Sequence, residues 1–352
     1  MKIPIIDLSR RHAVIGADAE ERVLAVLRSG RLIGGPVVAE VEDMAAALFQ
    51  RTYGLGVNSG TDALIIALQT VGVRPGDEVI IPALSFFATA GAVATLGAKP
   101  IFVDVLSDAT LDPQAAKDAI TSKTRAIVPV HLYGNMAEAP ACDIPIVDDA
   151  AQGVGGTPAR SIGQLSAVST YPTKTWGAAG DGGFIVGSDE ALMARARSLA
   201  NHGMIGKPNH HVHHDGAIGR NTRLDPVQAA ILLAQKPHLS VWVSKRQENA
   251  VWYDTALPDG VTPLPRSPGS PVHQYIIQTD NRDVVLAKLN AAGVGAAVYY
   301  PKPMNQQPAF NLPANTPVAD AISQRIIALP VNEHLRDDER VAIMNALHDA
   351  VR

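Results

Sequence analysis

Short apolar runs alternate along this chain with longer stretches in which apolar residues recur every three or four positions. Strand-like runs of three to five residues, mostly apolar, read as strands buried on both faces of a parallel sheet. Such runs fall at Val79–Pro82, Pro100–Val103, Ala126–Val130, Ile144–Val147, Val168–Tyr171 and Phe184–Val186. Helical patterns lie between most of them, including Asp189–Ala200. Asp225-Pro226 predicts another helix start, with the aspartate as N-cap and the proline at the first helical position. Strand–helix alternation implies a mainly parallel sheet. After about residue 236 the pattern changes. A helix at about Leu239–Leu257 precedes a Pro-rich stretch from Pro258 to Pro271. A strand (Gln274–Thr279), a helix (Val284–Ala292, stopped by Gly293), a strand (Val294–Tyr299) and two more helices follow. The expectation is a large α/β domain over residues 1–235 and a small α+β domain over residues 236–352, with no internal repeats.

Composition narrows the function classes. A length of 352 residues is enough for a large core. The formal net charge of -4 and the lack of a basic run argue against nucleic acid as a partner. No apolar stretch approaches membrane-spanning length, so no membrane role is expected. The segment Met1-Lys2-Ile3-Pro4-Ile5-Ile6-Asp7 is too short and too soon interrupted for a signal peptide. The single cysteine, Cys142, forbids an intrachain disulfide, fits a cytoplasmic location, and reads as a small buried or loop residue.

The most informative chemistry is at Lys174, in Ser169-Thr170-Tyr171-Pro172-Thr173-Lys174-Thr175-Trp176-Gly177-Ala178-Ala179-Gly180-Asp181-Gly182-Gly183. A lone lysine is usually a solvated surface charge. This one ends a strand-like run among small and aromatic residues. That setting suits a semi-buried amine whose lowered pKa makes it a nucleophile for aldehydes, such as that of pyridoxal 5′-phosphate (PLP). Such a cofactor needs an acid at its pyridine nitrogen. Ile144-Pro145-Ile146-Val147-Asp148-Asp149 offers two at a strand's C-terminal end, where open α/β sheets bind ligands. Either acid taken alone also reads as a helix N-cap. A phosphate needs a cradle, and Asn58-Ser59-Gly60-Thr61-Asp62 opens the apolar helix Ala63-Leu64-Ile65-Ile66-Ala67-Leu68 with free N–H groups and a positive dipole end. A plain helix cap would look the same. The ring needs a flat neighbour, and Phe86 or Phe87 follows Val79-Ile80-Ile81-Pro82-Ala83-Leu84, one of the two being a core residue.

These segments together resemble the DegT/DnrJ/EryC1/StrS family of sugar aminotransferases, which have the fold type I PLP-enzyme architecture. The resemblance also rests on Pro75-Gly76-Asp77-Glu78-Val79-Ile80, Pro129-Val130-His131-Leu132-Tyr133-Gly134, Asp149-Ala150-Ala151-Gln152, Gly219-Arg220-Asn221-Thr222-Arg223-Leu224-Asp225, Gln228-Ala229-Ala230 and Tyr300-Pro301-Lys302-Pro303. It implies that Lys174 bonds the cofactor aldehyde and shuttles the proton, and that Asp149 pairs with the pyridine nitrogen. It implies that Gln152 lies on the ring-oxygen side, that Phe86 stacks on the ring, and that Phe87 is therefore the core residue. Gly60, Thr61 and Ser169 would bind the phosphate, and Asn221 would reach the phosphate of the neighbouring subunit in a homodimer with interfacial active sites. The implied reaction moves an amino group from an amino acid, glutamate by resemblance, to a nucleotide-linked keto-sugar.

The chain departs from that family's pattern in places. The interval between Val130 and Ile144 holds Pro140 and is short for a crossover helix, which is expected to be reduced to a turn or lost. Leu32 follows Gly30-Arg31 where an aromatic is common, Ala179 replaces a Tyr, and Tyr299 replaces a His. These substrate-side changes leave a second reading, a transaminase of small ketones or amines. A third, a PLP-binding regulatory or structural protein, would need a damaged site, yet Lys174, Asp149, Gln152 and Ser169 are all present. A fourth, the dehydrase branch, replaces the lysine with histidine. The candidate substrate residues are Arg31, Arg223, Tyr299, Tyr300 and Lys302. Arg223 reads equally as a carboxylate or phosphate ligand and as an ion-pair partner of Asp225 or another interface acid. Four imidazoles in His210-His211-Val212-His213-His214-Asp215 suit a metal, but the segment resembles a loop of that family that often carries paired His before Gly219, so an interface loop is implied and no metal is expected.

Overall fold

The computed structural model describes residues 2–156, 162–205 and 218–352. Two helices open the chain, α1 (Leu8–Ser29) and α2 (Pro36–Leu48). Asp7 caps α1 by accepting the N–H groups of Ser9 and Arg10, both at 3.1 Å. Gly30, at φ 66°, ends it in the left-handed conformation that glycine adopts without strain. The main sheet comprises β1 (Tyr53–Val57), β2 (Glu78–Pro82), β3 (Lys99–Val103), β4 (Thr124–Ile127), β5 (Val147–Asp149), β6 (Leu165–Ser169) and β7 (Gly183–Gly187). Helices α3 (Gly60–Thr70), α4 (Phe87–Thr95) and α5 (Pro113–Asp118) link its first strands.

Strand β2 pairs in parallel with β3 and β4, and β5 with β6, whereas β7 runs antiparallel to its neighbours β6 and β1. The two groups join between β4 and β5, through Ile127 N–H to the Pro145 carbonyl (3.0 Å) and Asp149 N–H to the Pro129 carbonyl (2.9 Å). The order is therefore β3-β2-β4-β5-β6-β7-β1, with only β7 reversed. Strands β6 and β7 are buried throughout, as a strand covered on both faces must be. Between β4 and β5 the described chain has a single 3-10 turn, Leu132–Gly134, in place of a crossover helix, as the short interval predicted.

Helix α6 (Glu190–Ala200) follows β7, and α7 (Pro226–Ala234) begins as predicted, with Asp225 accepting the Val227 N–H at 2.8 Å. Helix α8 (Leu239–Ala256) leads to an antiparallel sheet of β8 (Thr262–Pro263), β9 (Tyr275–Gln278) and β10 (Ile326–Leu329), in the order β10-β9-β8. Helices α9 (Arg282–Ala291), α10 (Pro317–Arg325) and α11 (Asp337–Val351) complete this region. The alternation of a strand splits the second sheet between two cores. Ile276, Ile326 and Ala328 join the apolar cluster of the main sheet. Tyr275, Ile277, Ile327 and Leu329 face a separate cluster with Tyr253, Leu289 and Leu347, which also takes Ile3 from the chain start.

Three sequence expectations need correction. Strand β5 starts at Val147, because Ile146 makes only an isolated bridge to Ile127. Strand β6 runs Leu165–Ser169, so Thr170 and Tyr171 already belong to the turn that follows. Val294–Tyr299 is no continuous strand, since it pairs only at Val294 with Ile3 and at Ala297 with Ala328.

Candidate active site at the strand ends

The C-terminal ends of the parallel strands bring most of the cofactor candidates to one edge of the sheet. Asn58 and Ser59 follow β1, Phe86 follows β2, His131 follows β4, Asp149 ends β5 and Ser169 ends β6. The turn after β6 carries Lys174, whose N–H bonds the Tyr171 carbonyl at 2.8 Å, while Ala178 N–H returns to the Thr170 carbonyl at 2.8 Å. A Cβ at Gly177 would lie 2.3 Å from the Pro172 carbonyl oxygen, so this tight turn requires glycine. The Lys174 side chain is half-buried. Burial lowers its pKa from 10.5 to about 8, against the opposing pull of Asp149. A sizeable neutral fraction near neutral pH is what a nucleophilic amine needs.

The two acids of β5 point to opposite faces, and only Asp149 belongs to this site. Asp149 is buried and accepts the Thr89 hydroxyl at 2.9 Å and the Ala151 N–H at 3.2 Å. Thr89 is in turn hydrogen-bonded to Ser85 at 2.8 Å. Burial raises the Asp149 pKa, while the bonds from Thr89 and Ala151 and the charges of Lys174 and His131 oppose the rise. A cation held against this carboxylate would offset the cost of burying it. Asp148 instead accepts the Gly163 N–H at 2.9 Å and lies 3.5 Å from His131 Nε2. His131 Nδ1 accepts the Ala137 N–H at 3.0 Å, which leaves Nε2 to carry the proton towards Asp148.

The phosphate candidates meet at the start of α3. Ser59 caps the helix, its Oγ accepting the Asp62 N–H at 3.1 Å. The leading N–H groups of Gly60 and Thr61 have no carbonyl a turn behind them. A Cβ on Gly60 would approach the Ser169 Cβ to 2.6 Å, so glycine is what lets the Ser169 hydroxyl stand beside this helix end. Gln152, buried, accepts the Tyr133 N–H at 2.5 Å and hydrogen-bonds the Tyr300 side chain. The Tyr133 hydroxyl donates to the Tyr299 carbonyl. Phe86 is 55% exposed, with its ring centroid 5.9 Å from that of Tyr300. Phe87 is not the core residue expected. It is 43% exposed because it starts α4 at the rim, where its ring packs on Phe310 at 5.4 Å.

The substrate candidates are less gathered. Arg31, Arg223 and Lys302 are exposed, and Tyr299 and Tyr300 are half-buried. Burial raises the pKa of both tyrosines. Arg223 makes no ion pair with Asp225 among the described residues; Asp225 instead caps α7. Asn221 is exposed and bridges to Asn201. Cys142 is half-buried. The His210–His214 segment lies outside the described residues. Among the described residues no group of three His, Cys, Asp or Glu could hold a metal, and no helix is long and apolar enough to cross a membrane.

Sequence reasoning missed Thr89 and His273. Thr89 was legible as the residue one helical turn beyond Phe86. His273 is buried, and its pKa falls well below the ordinary value through burial and the nearby charges of Lys174, Arg246 and Arg11. Nothing local in the sequence ties it to a lysine so far away.

The donor set fits PLP: an open helix end for the phosphate, a buried carboxylate for the ring nitrogen, an amine of depressed pKa for the aldehyde and an exposed aromatic for the ring face. Comparisons with known proteins agree. The model of the DegT/DnrJ/EryC1/StrS aminotransferase family matches residues 13–348. A pleiotropic regulatory protein of Geobacillus stearothermophilus is 36% identical, covering 100% of this chain and 99% of its own length. The UDP-2-acetamido-2-deoxy-3-oxo-D-glucuronate aminotransferase of Pseudomonas aeruginosa is 39% identical, covering 95% of this chain and 96% of its own. The crystal structure of S. venezuelae DesV, in complex with a ketimine intermediate, superposes with a TM-score of 0.91 at 33% identity, over 100% of this chain and 99% of that one. NtdA of Bacillus subtilis, solved with bound cofactor PMP, gives a TM-score of 0.91 at 28% identity, over 99% of this chain and 85% of its own.

Proposed function

This chain belongs to the DegT/DnrJ/EryC1/StrS aminotransferase family, a PLP-dependent family, and from that membership we propose that it moves an amino group from an amino acid, glutamate in the first instance, to a keto-sugar carried on a nucleotide. The observation that carries this reading is the convergence of Lys174 and Asp149 at one sheet edge, with the Lys174 amine held at about 8. The acceptor class is supported by relatives such as the P. aeruginosa enzyme, whose name specifies a UDP-linked 3-oxo sugar.

When bound, PLP supplies an electron-poor ring that stabilises negative charge at the carbon being deprotonated. The rest is the work of this chain. Lys174 Nζ, partly neutral at working pH, takes the proton from the donor α-carbon and returns it at the neighbouring position. Asp149, a buried carboxylate fixed by Thr89 and Ala151, would keep the ring nitrogen protonated. The N–H groups of Gly60 and Thr61 and the Ser169 hydroxyl would hold the phosphate dianion at the positive end of α3. Phe86 would cover one ring face, and Gln152, braced by Tyr133 and Tyr300, would lie on the ring-oxygen side.

Arg31, Lys302 and the hydroxyls of Tyr299 and Tyr300 are the groups proposed for the acceptor's diphosphate, with Arg223 as a further carboxylate or phosphate ligand. The chain is proposed to work as a homodimer, with Asn221 completing the partner's phosphate site. The exposed apolar residues Leu24, Leu27, Leu32 and Ile33, close together in the chain at the end of α1 and just after it, support a covered face of that kind. A domain division near residue 235 and a cytoplasmic location belong to the same reading. Borohydride trapping tests it: the yellow protein should bleach with the cofactor on Lys174, and Lys174→Ala should lose turnover. Attachment to another lysine, or an active Lys174→Ala protein, refutes it.

A further inference from the structure

Beneath the Lys174 turn, three charged side chains from distant parts of the chain meet out of water. Arg11 of α1, Glu333 after β10 and Arg246 of α8 are 4%, 7% and 2% exposed. Arg11 gives Glu333 Oε1 two bonds, from Nε at 3.0 Å and Nη2 at 2.7 Å. Arg246 reaches the other carboxylate oxygen from Nε at 2.8 Å and Nη2 at 2.7 Å. Burial pushes the Glu333 carboxyl up, but Arg246 and Arg11 outweigh it and hold the pKa at about 2. The carboxylate is therefore ionised at any working pH, and the triad carries a net positive charge in the interior. Such triads are expensive to desolvate, and apolar groups of equal volume often give equal or greater stability. Stability alone is thus a weak reason for one here.

The remaining donors of the two guanidinium groups point to a different use. Arg11 Nη1 donates to the carbonyls of Pro172 (3.1 Å) and Lys174 (2.9 Å). Arg246 Nη1 donates to the carbonyl of His273 at 3.1 Å. The Arg11 guanidinium also lies 5.3 Å from the Trp242 ring centroid, which restricts its plane. Glu333 therefore joins a grip on the lysine's own peptide group to a grip on the turn of the buried imidazole that feels the lysine's charge. We propose that Arg11 is a positioning residue for Lys174, and that Glu333 and Arg246 hold Arg11 in the one orientation that clamps the Lys174 carbonyl. With the Lys174 N–H already held by the Tyr171 carbonyl, fixing the Lys174 carbonyl sets the direction of the Cα–Cβ bond, and with it where Nζ delivers the proton. The proposal rests on Lys174 being the cofactor lysine.

Arg11→Lys tests it, with Arg246→Lys as its counterpart on the same carboxylate. Each keeps a cation against Glu333, but an ammonium lacks the planar fork that serves carboxylate and carbonyls together. Both variants should lose similar thermal stability. Arg11→Lys should shift the pH midpoint of the visible band of the Lys174-bound cofactor and slow the glutamate half-reaction about tenfold at nearly constant KM, whereas Arg246→Lys, which leaves Arg11 its own bonds to Glu333 and to the Lys174 carbonyl, should change both much less. An unmoved band and rate in Arg11→Lys overturn the proposal, as does an equal change in both variants that follows only their stability loss. Should Arg11→Lys fail to fold, the triple replacement Arg11→Met, Glu333→Leu, Arg246→Met removes every buried charge at once. It should show the same band shift and slowing, and a normal band and rate there also overturn the proposal. Borohydride trapping on the unaltered protein separates the two levels: attachment to another lysine refutes the cofactor assignment and this inference together, whereas attachment to Lys174 leaves the variants to decide the inference alone.

Discussion

Removing the charge of Lys174 should stabilise the protein without its cofactor, by an amount that depends on pH in a defined way. The folded amine has a pKa of about 8 against 10.5 for an ordinary lysine. Each pKa unit corresponds to about 1.4 kcal/mol, so the protonated amine costs the fold about 3 kcal/mol below pH 8. A folded pKa below the unfolded one means that the unfolded chain binds the proton more tightly. The cost is therefore constant below pH 8, shrinks as pH rises from 8 to 10.5, and is gone above 10.5. The side chain is only half-buried, and water screening trims the figure to about 2 kcal/mol. Lys174→Met keeps much of the volume and removes the charge. Urea unfolding of the two apoproteins at pH 7 should show the variant more stable by about 2 kcal/mol, and the difference should lose that much by pH 10.5. Any change in packing adds the same constant at both values. A difference that does not change between pH 7 and pH 10.5 would refute the reasoning, since the lysine would then carry no desolvation cost. The same depression leaves about a quarter of the amine neutral at pH 7.5, against about one part in a thousand for an ordinary lysine.

Other expectations follow from the same geometry. Asp149→Asn should lower kcat about a hundredfold or more, while Asp148→Asn, on the opposite face beside His131, should be mild; the reverse ranking in steady-state assays would exchange the two acids. Mixing inactive Lys174→Ala protomers with an inactive Asn221 variant should restore part of the activity, and none despite proven subunit exchange would put Asn221 outside its partner's site. Lys302→Ala should raise KM for the nucleotide-sugar and leave the glutamate half-reaction unchanged, so equal losses in both half-reactions would exclude a specific diphosphate contact.

Much of the site was legible because its chemistry is carried by short segments at strand ends. Lys174 and the acid pair Asp148-Asp149 are each tied to a local run, whereas the choice of Asp149 and the place of Ser169 came only with the family resemblance, and β2, β3 and the start of α7 fall where apolar runs and the Asp-Pro pair predicted. What escaped depends on contacts between distant segments. Strand β1 reads poorly because Gly54 and Gly56 interrupt it, yet a Cβ at those positions would meet the Glu42 carbonyl oxygen at 2.2 Å and the Leu224 Cβ at 2.7 Å. Helix and strand packing thus demands the residues that weaken the strand signal. Strand β10 is four residues between two helices, too short for its period to show. Phe87 looked apolar enough for the core, but its place at the start of α4 sets it on the rim. Arg11 and Glu333 lie 322 residues apart, and only the fold brings them together beneath the lysine turn.

The central claim is a PLP-dependent transamination that ends on a nucleotide-linked keto-sugar. Its most direct test is to load the enzyme with pyridoxamine phosphate and mix it with nucleotide keto-sugars, with simple ketones in parallel. The account predicts that the PLP absorbance returns rapidly with a nucleotide keto-sugar and slowly or not at all with simple ketones. Rapid return with simple ketones, and none with any nucleotide keto-sugar, would contradict it.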